Sequence, residues 1–142
     1  MIMKTEIRPF HLAISVKNLD IAKKFYIDVL GCQVGRFTDT WIDLNFFGHQ
    51  LVLHLANLKQ KTDLNFVDNK KIQIPHFGVI LKWNDWVKLS ERIKNKIDFI
   101  IEPYIRFKGQ TGEQATMFFL DEDSNALEFK AFKNDVMIFK KY

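Results

Sequence analysis

The sequence contains little cysteine, glycine or proline: one Cys, six Gly and three Pro in 142 residues. Because Cys32 is the single cysteine, a disulfide scaffold within the chain is excluded. The scarcity of glycine and proline, together with 47% hydrophobic residues, excludes a disordered or low-complexity chain. The length is typical of one domain and is sufficient to bury a substantial hydrophobic core.

Long hydrophobic runs are also absent. No apolar run approaches the roughly 18 residues that a membrane-spanning helix needs. The first ten residues, MIMKTEIRPF, contain no apolar core of a signal peptide. We therefore expect a cytoplasmic protein with no membrane partner.

The sequence has no strong excess of charge of one sign. It contains 21 Lys and Arg against 17 Asp and Glu, which gives a net charge of +4. The basic residues are scattered along the chain, for example at Lys23 and Lys24 and at Lys70 and Lys71, and form no stripe. This distribution favours a solvated basic surface over a nucleic-acid interface, so we expect no nucleic-acid partner.

The hydrophobic pattern of the first half predicts the element order βαβββ. Residues 10–16 form an apolar, β-branched run that is typical of a buried strand. Residues 21–30 follow with helical spacing, and Gly31 stands where a helix ends. Three strand-like segments come next, at about 33–38, 40–46 and 50–55.

The same pattern recurs in the second half. A buried strand is predicted over 74–83, then a helix from about Trp86 to Lys96 with N-cap chemistry at Asn84 and Asp85. Strands follow near 98–107, 115–120 and 126–132. A shift of 65 residues aligns His11 with His76, Lys17 with Lys82 and Asp20 with Asp85, so one supersecondary unit occurs twice.

The repeat predicts an α+β fold made of two βαβββ modules in one domain. Module one covers about residues 8–56 and module two about 74–132. The polar segment 57–73 is predicted to link the modules. Residues 133–142 form a tail outside the repeat whose apolar part we expect to pack, either on the chain itself or on a partner subunit.

Alternation along the predicted strands places one metal-competent side chain on the less apolar face of each of four strands. These residues are His11, His54, His76 and Glu128. A single strand histidine is usually an ordinary core or rim residue, but the matched positions in a repeat favour metal binding for His11, His76 and Glu128. The role of His54 stays open among fourth ligand, support for another ligand and substrate contact.

The opening segment HLAISVKNLDIAKKFYIDVLG and the closing segment FFLDEDSNALEF resemble the vicinal oxygen chelate superfamily. That superfamily includes glyoxalase I, extradiol dioxygenases, methylmalonyl-CoA epimerases and fosfomycin-resistance transferases. The resemblance covers about residues 8–132 and implies that each module curls into half of a metal-binding cleft. It also implies one divalent metal ion bound by residues on the first and last strands of the modules, which here are His11, His54, His76 and Glu128.

The resemblance favours one branch of the superfamily over another. The set His11, His76 and Glu128 resembles the two-His, one-carboxylate set of extradiol dioxygenases, which implies Fe(II), with Mn, Ni or Zn as alternatives. Two departures weaken simple assignments: Phe118 replaces the tyrosine of those dioxygenases, and His54 replaces the carboxylate of glyoxalase-like enzymes. We expect a dioxygenase-like enzyme acting on a small substrate with adjacent oxygens, or a glyoxalase-like lyase or isomerase.

Two further expectations follow from the resemblance. Some members of the superfamily, such as the bleomycin-resistance proteins, bind drugs without a metal, and the retained His11, His76 and Glu128 argue against that alternative. The resemblance also implies a homodimer. Whether His11 and His76 meet within one chain or across the dimer stays open.

A second group of polar residues lies in the segment 102–114, before the strand predicted near 115–120. Arg106 or Lys108 is a candidate to bind a substrate carboxylate. Tyr104 is a candidate acid or base in place of the missing tyrosine. Phe118 is a candidate for an aromatic wall of the substrate pocket. The alternative is that these side chains are ordinary loop polars and packed aromatics.

Overall fold

A computed structural model describes residues 6–57 and 63–141. Residues 58–62 of the predicted linker, Tyr142 of the predicted tail and residues 1–5 lie outside the described part. The chain divides into two compact units, Met1–Leu58 and Lys59–Tyr142. Each unit combines a mixed sheet with one main helix, which confirms the predicted α+β class.

The first unit has the predicted element order βαβββ. Its strands are β1 (His11–Val16), β2 (Gln33–Phe37), β3 (Trp41–Phe46) and β4 (His49–Leu55). They form a sheet in the order β1-β4-β3-β2, with β1 parallel to β4. Helix α1 (Leu19–Lys23) begins where the Asn18 side chain accepts hydrogen bonds from two backbone N–H groups, and it continues as a π-helical segment, Lys24–Val29.

The described part of the second unit begins with a hairpin, followed by two short strands, a helix and three antiparallel strands. The elements are β5 (Asp63–Val67), β6 (Lys70–Ile74), β7 (His76–Phe77), β8 (Ile80–Leu81), α2 (Trp83–Ile93), β9 (Phe99–Arg106), β10 (Gln114–Leu120) and β11 (Ala126–Phe132). The sheet order is β7-β11-β10-β9, and β8 also pairs with β11. A short 3-10 helix, Asp135–Ile138, follows β11 and buries Met137.

All of the hairpin β5–β6 except its last residue, Ile74, lies within the segment 57–73, which is predicted from the sequence as a linker without strands. Its strands pair through Val67 and Lys70, so Asp68 and Asn69 form a two-residue turn. Both turn residues have positive φ, 50° and 61°. That backbone matches the turns that two-residue hairpins prefer, and Asp and Asn tolerate it better than most residues.

Two boundaries in the second unit differ from the prediction. Helix α2 begins at Trp83 with Lys82 as N-cap, so Asp85 lies in the first turn and favours the helix through its charge. The predicted strand 74–83 is divided into β7 and β8 around Gly78. A Cβ at Gly78 would lie 1.6 Å from the carbonyl oxygen of Glu128, a closeness that only glycine permits.

The sheet of the second unit has one face in the core and another that carries polar side chains. Ala115, Met117 and Phe119 alternate along β10 and are fully buried, and α2 contacts both β10 and β11. The opposite face of β10 therefore presents Gln114, Thr116 and Phe118. No helix among the described residues is long and apolar enough to cross a membrane.

Replacing Trp86 by phenylalanine is expected to lower the free energy of unfolding by about 2 kcal/mol. Trp86 is 4% exposed, and its Nε1 donates a hydrogen bond to the Phe129 carbonyl at 2.9 Å, so the change removes a buried hydrogen bond and core volume. Urea unfolding measures the loss. The matched control is Trp83→Phe, a half-buried position with Lys133 above its ring, where an equal loss would contradict the prediction.

Candidate functional site

His76 and Glu128 lie together on the polar face of the second unit's sheet. Strand β7 runs parallel to β11 with His76 opposite Ala126, so Glu128 is two residues further along and points to the same face. The Nε2 atom of His76 is 3.0 Å from Oε2 of Glu128, and both side chains are mostly buried. The structure therefore brings two of the predicted metal ligands together.

The other polar atom of each side chain, Nδ1 of His76 and Oε1 of Glu128, is hydrogen-bonded to a neighbouring residue. Nδ1 of His76 is 2.8 Å from the carbonyl oxygen of Gln73; because a carbonyl only accepts, Nδ1 carries the proton and Nε2 faces Glu128. Thr116 donates a hydrogen bond to Oε1 of Glu128 at 2.7 Å, which leaves Oε2 for His76. Metal-binding histidines and carboxylates are typically oriented by such hydrogen bonds.

The two side chains shift each other's pKa in the directions that favour a charged pair. The hydrogen bond with Glu128 raises the pKa of His76 above its ordinary value, despite the opposing effect of burial. Burial alone would raise the pKa of Glu128, but hydrogen bonds from His76 and Thr116 outweigh it and hold that pKa below its ordinary value.

The separation of the two donor atoms suits a metal ion. Two ligands about 2.1 Å from one ion and at right angles to each other are about 3 Å apart. His76 Nε2 and Glu128 Oε2 are 3.0 Å apart, so both fit neighbouring positions on one ion. Within residues 6–57 and 63–141, no group of three His, Cys, Asp or Glu side chains is close enough together to hold a metal ion.

His11 lies on β1 of the first unit and has the same kind of support. Its Nδ1 is 2.8 Å from Oε1 of Gln50, the residue opposite it on β4. Because an amide oxygen accepts, Nδ1 donates and Nε2 is left as a free lone pair on an exposed side chain. Gln50, which the sequence analysis did not select, orients His11 as Gln73 orients His76.

The structure does not bring His54 to His11. In the second unit the predicted ligand Glu128 follows the partner of His76 by two residues; the corresponding position in the first unit is Val52, an apolar residue. His54 pairs with Ser15 and stands four residues beyond the partner of His11, roughly 13 Å along the strand. The two histidines share a sheet face but not a binding position.

An open, shallow cavity of about 380 Å³ lies in the first unit and is lined in part by Gln50, the partner of His11. Its lining includes Arg36, Asp43, Asn45, His49 and Gln50. The residue Asp43 is 9% exposed, and its carboxylate faces the exposed Arg36 at 3.4 Å. The cavity offers both hydrogen-bond donors and acceptors to a small polar molecule.

Tyr104 and Arg106 on β9 both bind Asp68 at the tip of the β5–β6 hairpin. The Tyr104 hydroxyl donates to Oδ2 of Asp68 at 3.0 Å, and Arg106 forms an ion pair with both carboxylate oxygens, with Nη2 3.1 Å from Oδ1. The Arg106 hydrogen bond lowers the pKa of Asp68. Burial and the hydrogen bond to Asp68 raise the pKa of Tyr104, so the phenol stays protonated.

Two of the predicted site residues, Tyr104 and Arg106, are therefore bonded to a residue of the chain itself. The guanidinium of Arg106 is engaged by a carboxylate of the chain itself, in a geometry that a substrate carboxylate would otherwise use. The sequence analysis missed Asp68, although an Asp-Asn pair between the alternating segments 63–67 and 70–74 is a signal for a hairpin turn. Lys108 is exposed in the turn after β9.

Phe118 lies inside the core of the second unit. It is 2% exposed and belongs to a cluster with Ile72, Ile101 and Ala126. Its ring meets the ring of His76 edge-on, with centroids 5.2 Å apart and an interplanar angle of 76°. Phe118 therefore supports His76 from within the core, which is the packing alternative that the sequence left open.

Comparison with known proteins identifies related chains. Residues 8–129 match the sequence model of the family described as Glyoxalase/Bleomycin resistance protein/Dioxygenase superfamily. A solved glyoxalase/bleomycin resistance protein/dioxygenase from Alicyclobacillus acidocaldarius is 34% identical, with a TM-score of 0.76 over 96% of this chain and 100% of that chain. No curated protein matches the chain significantly.

Two more distant structures are similar in fold alone. The fosfomycin resistance protein FosX from Listeria monocytogenes is 15% identical, with a TM-score of 0.68 over 95% of this chain and 98% of that chain. A glyoxalase/dioxygenase from Nostoc punctiforme is 18% identical, with a TM-score of 0.62 over 87% of this chain and 90% of that chain.

Proposed function

The chain belongs to the Glyoxalase/Bleomycin resistance protein/Dioxygenase superfamily, and from that premise we propose that it is a divalent-metal-dependent enzyme acting on a small substrate with adjacent oxygens. The observation that carries the proposal is the His76–Glu128 pair, with donor atoms 3.0 Å apart. His76 donates to the Gln73 carbonyl and Glu128 accepts from Thr116, which leaves Nε2 of His76 and Oε2 of Glu128 facing each other.

We propose His11 as the third ligand, contributed by a second copy of the chain in a homodimer. The support is that the His11 side chain is exposed and that its Nδ1 is hydrogen-bonded to Gln50, which leaves Nε2 for an ion. Two histidines and one carboxylate form the set that suits Fe(II), with Mn, Ni or Zn as alternatives. When bound, the ion would act as a Lewis acid toward the substrate oxygens. His54 is outside this set, because it stands beyond the position that matches Glu128.

Other residues of the chain are proposed to bind and orient the substrate. The cavity lined in part by Gln50 would take the part of the substrate away from the reacting oxygens, with Asp43 and Asn45 as hydrogen-bond partners. Arg106 and Tyr104 are left out of the reacting set because Asp68 engages both. Lys108, which is exposed in the turn after β9, is then the residue proposed to bind a substrate carboxylate.

We further propose that the protein works in the cytoplasm without nucleic-acid or membrane partners. The support is the scattered distribution of the 21 Lys and Arg residues along the sequence. A nucleic-acid partner would instead require a continuous basic surface.

A heterodimer experiment tests the shared site. The variants His11→Ala and His76→Ala are co-expressed with different tags, and the mixed dimer is isolated by two affinity steps that avoid immobilised metal. If His11 reaches the His76–Glu128 pair of the other chain, the mixed dimer retains one intact site and binds about half the metal of the wild type. If both ligands come from one chain, the mixed dimer has no intact site and binds none.

Oxygen uptake tests the reaction class. Protein loaded with Fe(II) without oxygen is mixed with catechol in air-saturated buffer, and we expect oxygen consumption that Glu128→Ala abolishes. Turnover of the hemithioacetal of methylglyoxal with Ni or Zn, without oxygen uptake, would instead support the lyase or isomerase alternative. Tight binding of aromatic ligands by the metal-free protein, with no turnover, would support the drug-binding alternative.

Replacing Thr116 by valine is expected to weaken metal binding by about 10-fold. Valine keeps the shape of the side chain but removes the hydrogen bond to Oε1 of Glu128, so the carboxylate loses its fixed orientation. A Co(II) titration followed by absorption measures the affinity. Thr40→Val, at an exposed turn of the first unit, is the control, and equal affinities of the two variants would refute the role of Thr116.

A further inference from the structure

The β5–β6 hairpin packs on the face of the sheet that carries His76 and Glu128. Ile72 of β6 is 8% exposed and lies in one apolar cluster with Phe118 and Ala126, and Val67 of β5 packs against that cluster. Phe118 in turn contacts the ring of His76. The hairpin thus reaches the candidate site through its inner face.

The tip of the hairpin is fastened to β9 by charge-assisted hydrogen bonds. Asp68 accepts hydrogen bonds from the Tyr104 hydroxyl and from Nη2 of Arg106, and the charge of the guanidinium makes the second of these one of the stronger polar contacts in proteins. Lys70, on the other side of the turn, lies 4.5 Å above the Tyr104 ring. Four side chains from two elements therefore hold one end of the hairpin in place.

The other end of the hairpin connects both halves of the His76–Glu128 pair. Gln73 accepts the Nδ1 proton of His76 with its carbonyl oxygen, and its side-chain Nε2 donates to the carbonyl of Ser124 at 2.8 Å. Ser124 belongs to the turn that leads into β11, the strand of Glu128. Gln73 is thus bonded to the histidine and to the segment that precedes the carboxylate.

Strand β7 offers little support of its own for His76. It is two residues long, it is preceded by Pro75, which has no N–H to donate, and it is followed directly by Gly78. The orientation of the His76 ring must therefore come from groups outside the strand. Besides Glu128, those groups are the Gln73 carbonyl, which belongs to the hairpin, and the Phe118 ring, which packs in one cluster with Ile72 of the hairpin.

We propose that the β5–β6 hairpin is the element that orients His76, with Gln73 and Asp68 as positioning residues. Gln73 sets the direction of the Nδ1 hydrogen bond, and Asp68 fixes the hairpin that carries Gln73. The inference rests on the proposed function, because it assigns the hairpin to the metal site, but the ring orientation is measurable without any metal. Loss of the Gln73 or the Asp68 side chain is expected to let the His76 ring rotate, so that Nε2 no longer points at Oε2 of Glu128.

The test observes the His76 ring in the metal-free protein by NMR. The wild type is expected to show an Nδ1 proton protected from exchange with water. Gln73→Ala keeps the backbone carbonyl that accepts from His76 but removes the side-chain hydrogen bond to Ser124 that fixes this end of the hairpin. Gln73→Ala and Asp68→Ala are expected to speed that exchange by 10-fold or more, and Asp68→Asn, which keeps the side-chain shape, less. Lys71→Ala, an exposed position on the same strand, is the control and is expected to match the wild type.

Co(II) titration of the same proteins separates the inference from the proposed function. We expect the affinity to fall about 10-fold in Gln73→Ala and Asp68→Ala. Wild-type exchange and affinity in folded variants with lowered Tm would overturn the inference and leave the proposed function intact, because the hairpin would then be a structural element only. Faster exchange in the variants without Co(II) binding by the wild type would support the positioning role and overturn the metal site. An unprotected Nδ1 proton in the wild type would also overturn the inference.

Discussion

Replacing His76 by alanine is expected to weaken divalent-metal binding by more than about 100-fold, beyond the 10- to 100-fold cost of losing a supporting group. The change removes one ligand and also the partner that holds Oε2 of Glu128 in place. Without His76, the Glu128 carboxyl loses a hydrogen bond that keeps its pKa low. Because Glu128 is mostly buried, its pKa is then expected to rise, and proton binding competes with the ion. Equilibrium dialysis with Mn(II) or Zn(II) measures the loss.

The matched control is His54→Ala. His54 is exposed and stands four residues beyond the partner of His11, so metal affinity is expected to stay within about 2-fold of the wild type, since no supporting contact of the ion is lost. Circular dichroism checks that both variants are folded. If His54→Ala lost the metal and His76→Ala kept it, the ligand assignment would be wrong.

Replacing Gly78 by alanine is expected to destabilise the protein by about 3 kcal/mol, a loss at the upper end for overpacking. The added Cβ would lie 1.6 Å from the carbonyl oxygen of Glu128, so the backbone of β7 or β11 must move. For a chain of this length the corresponding decrease in Tm is roughly 10 °C. Because the displaced backbone carries Glu128 itself, metal binding is expected to fall as well.

Gly35→Ala provides the comparison for Gly78→Ala. A Cβ at Gly35 would lie 3.4 Å from Cβ of Asp43, an ordinary contact, and the change is expected to cost less than about 1 kcal/mol. Calorimetry of both variants measures the difference in Tm. Equal values would show that the approach of Gly78 to Glu128 has no special role in the fold.

The repeat made much of the fold and part of the site predictable. Alternating apolar residues define β1 and β11, and the shift of 65 residues that aligns His11 with His76 is visible without a structure. Glu128 stands out because it lies between Leu127 and Phe129, which are fully buried. Local patterns of this kind depend only on neighbouring residues, so the sequence is sufficient to find them.

Register was beyond the reach of the sequence. Alternation shows that Val52 and His54 share a face of β4, but not which of them matches Glu128. The pairing of His11 with Gln50 decides this, and it depends on how two distant strands align. The same reason explains why Gln50 was overlooked as the partner of His11.

The hydrogen-bond partners in the second unit were also unpredictable for physical reasons. Thr116 supports Glu128 across the β10–β11 pairing, and Gln73 reaches His76 through a backbone carbonyl. The Asp68 contact requires that a hairpin fold over β9, and the polar composition of the segment concealed that hairpin. Long-range contacts of this kind leave no periodic signal in the chain.

The metal content of the wild-type protein tests the proposed metal site most directly. The protein is purified without chelators or an immobilised-metal column and is incubated with Fe(II), Mn(II) or Zn(II) before gel filtration. Elemental mass spectrometry then counts the bound ions. We expect about one ion per chain in the wild type, retained in His54→Ala and lost in His76→Ala. Retention of none of the three ions by the wild-type protein would show that the proposed metal site is wrong.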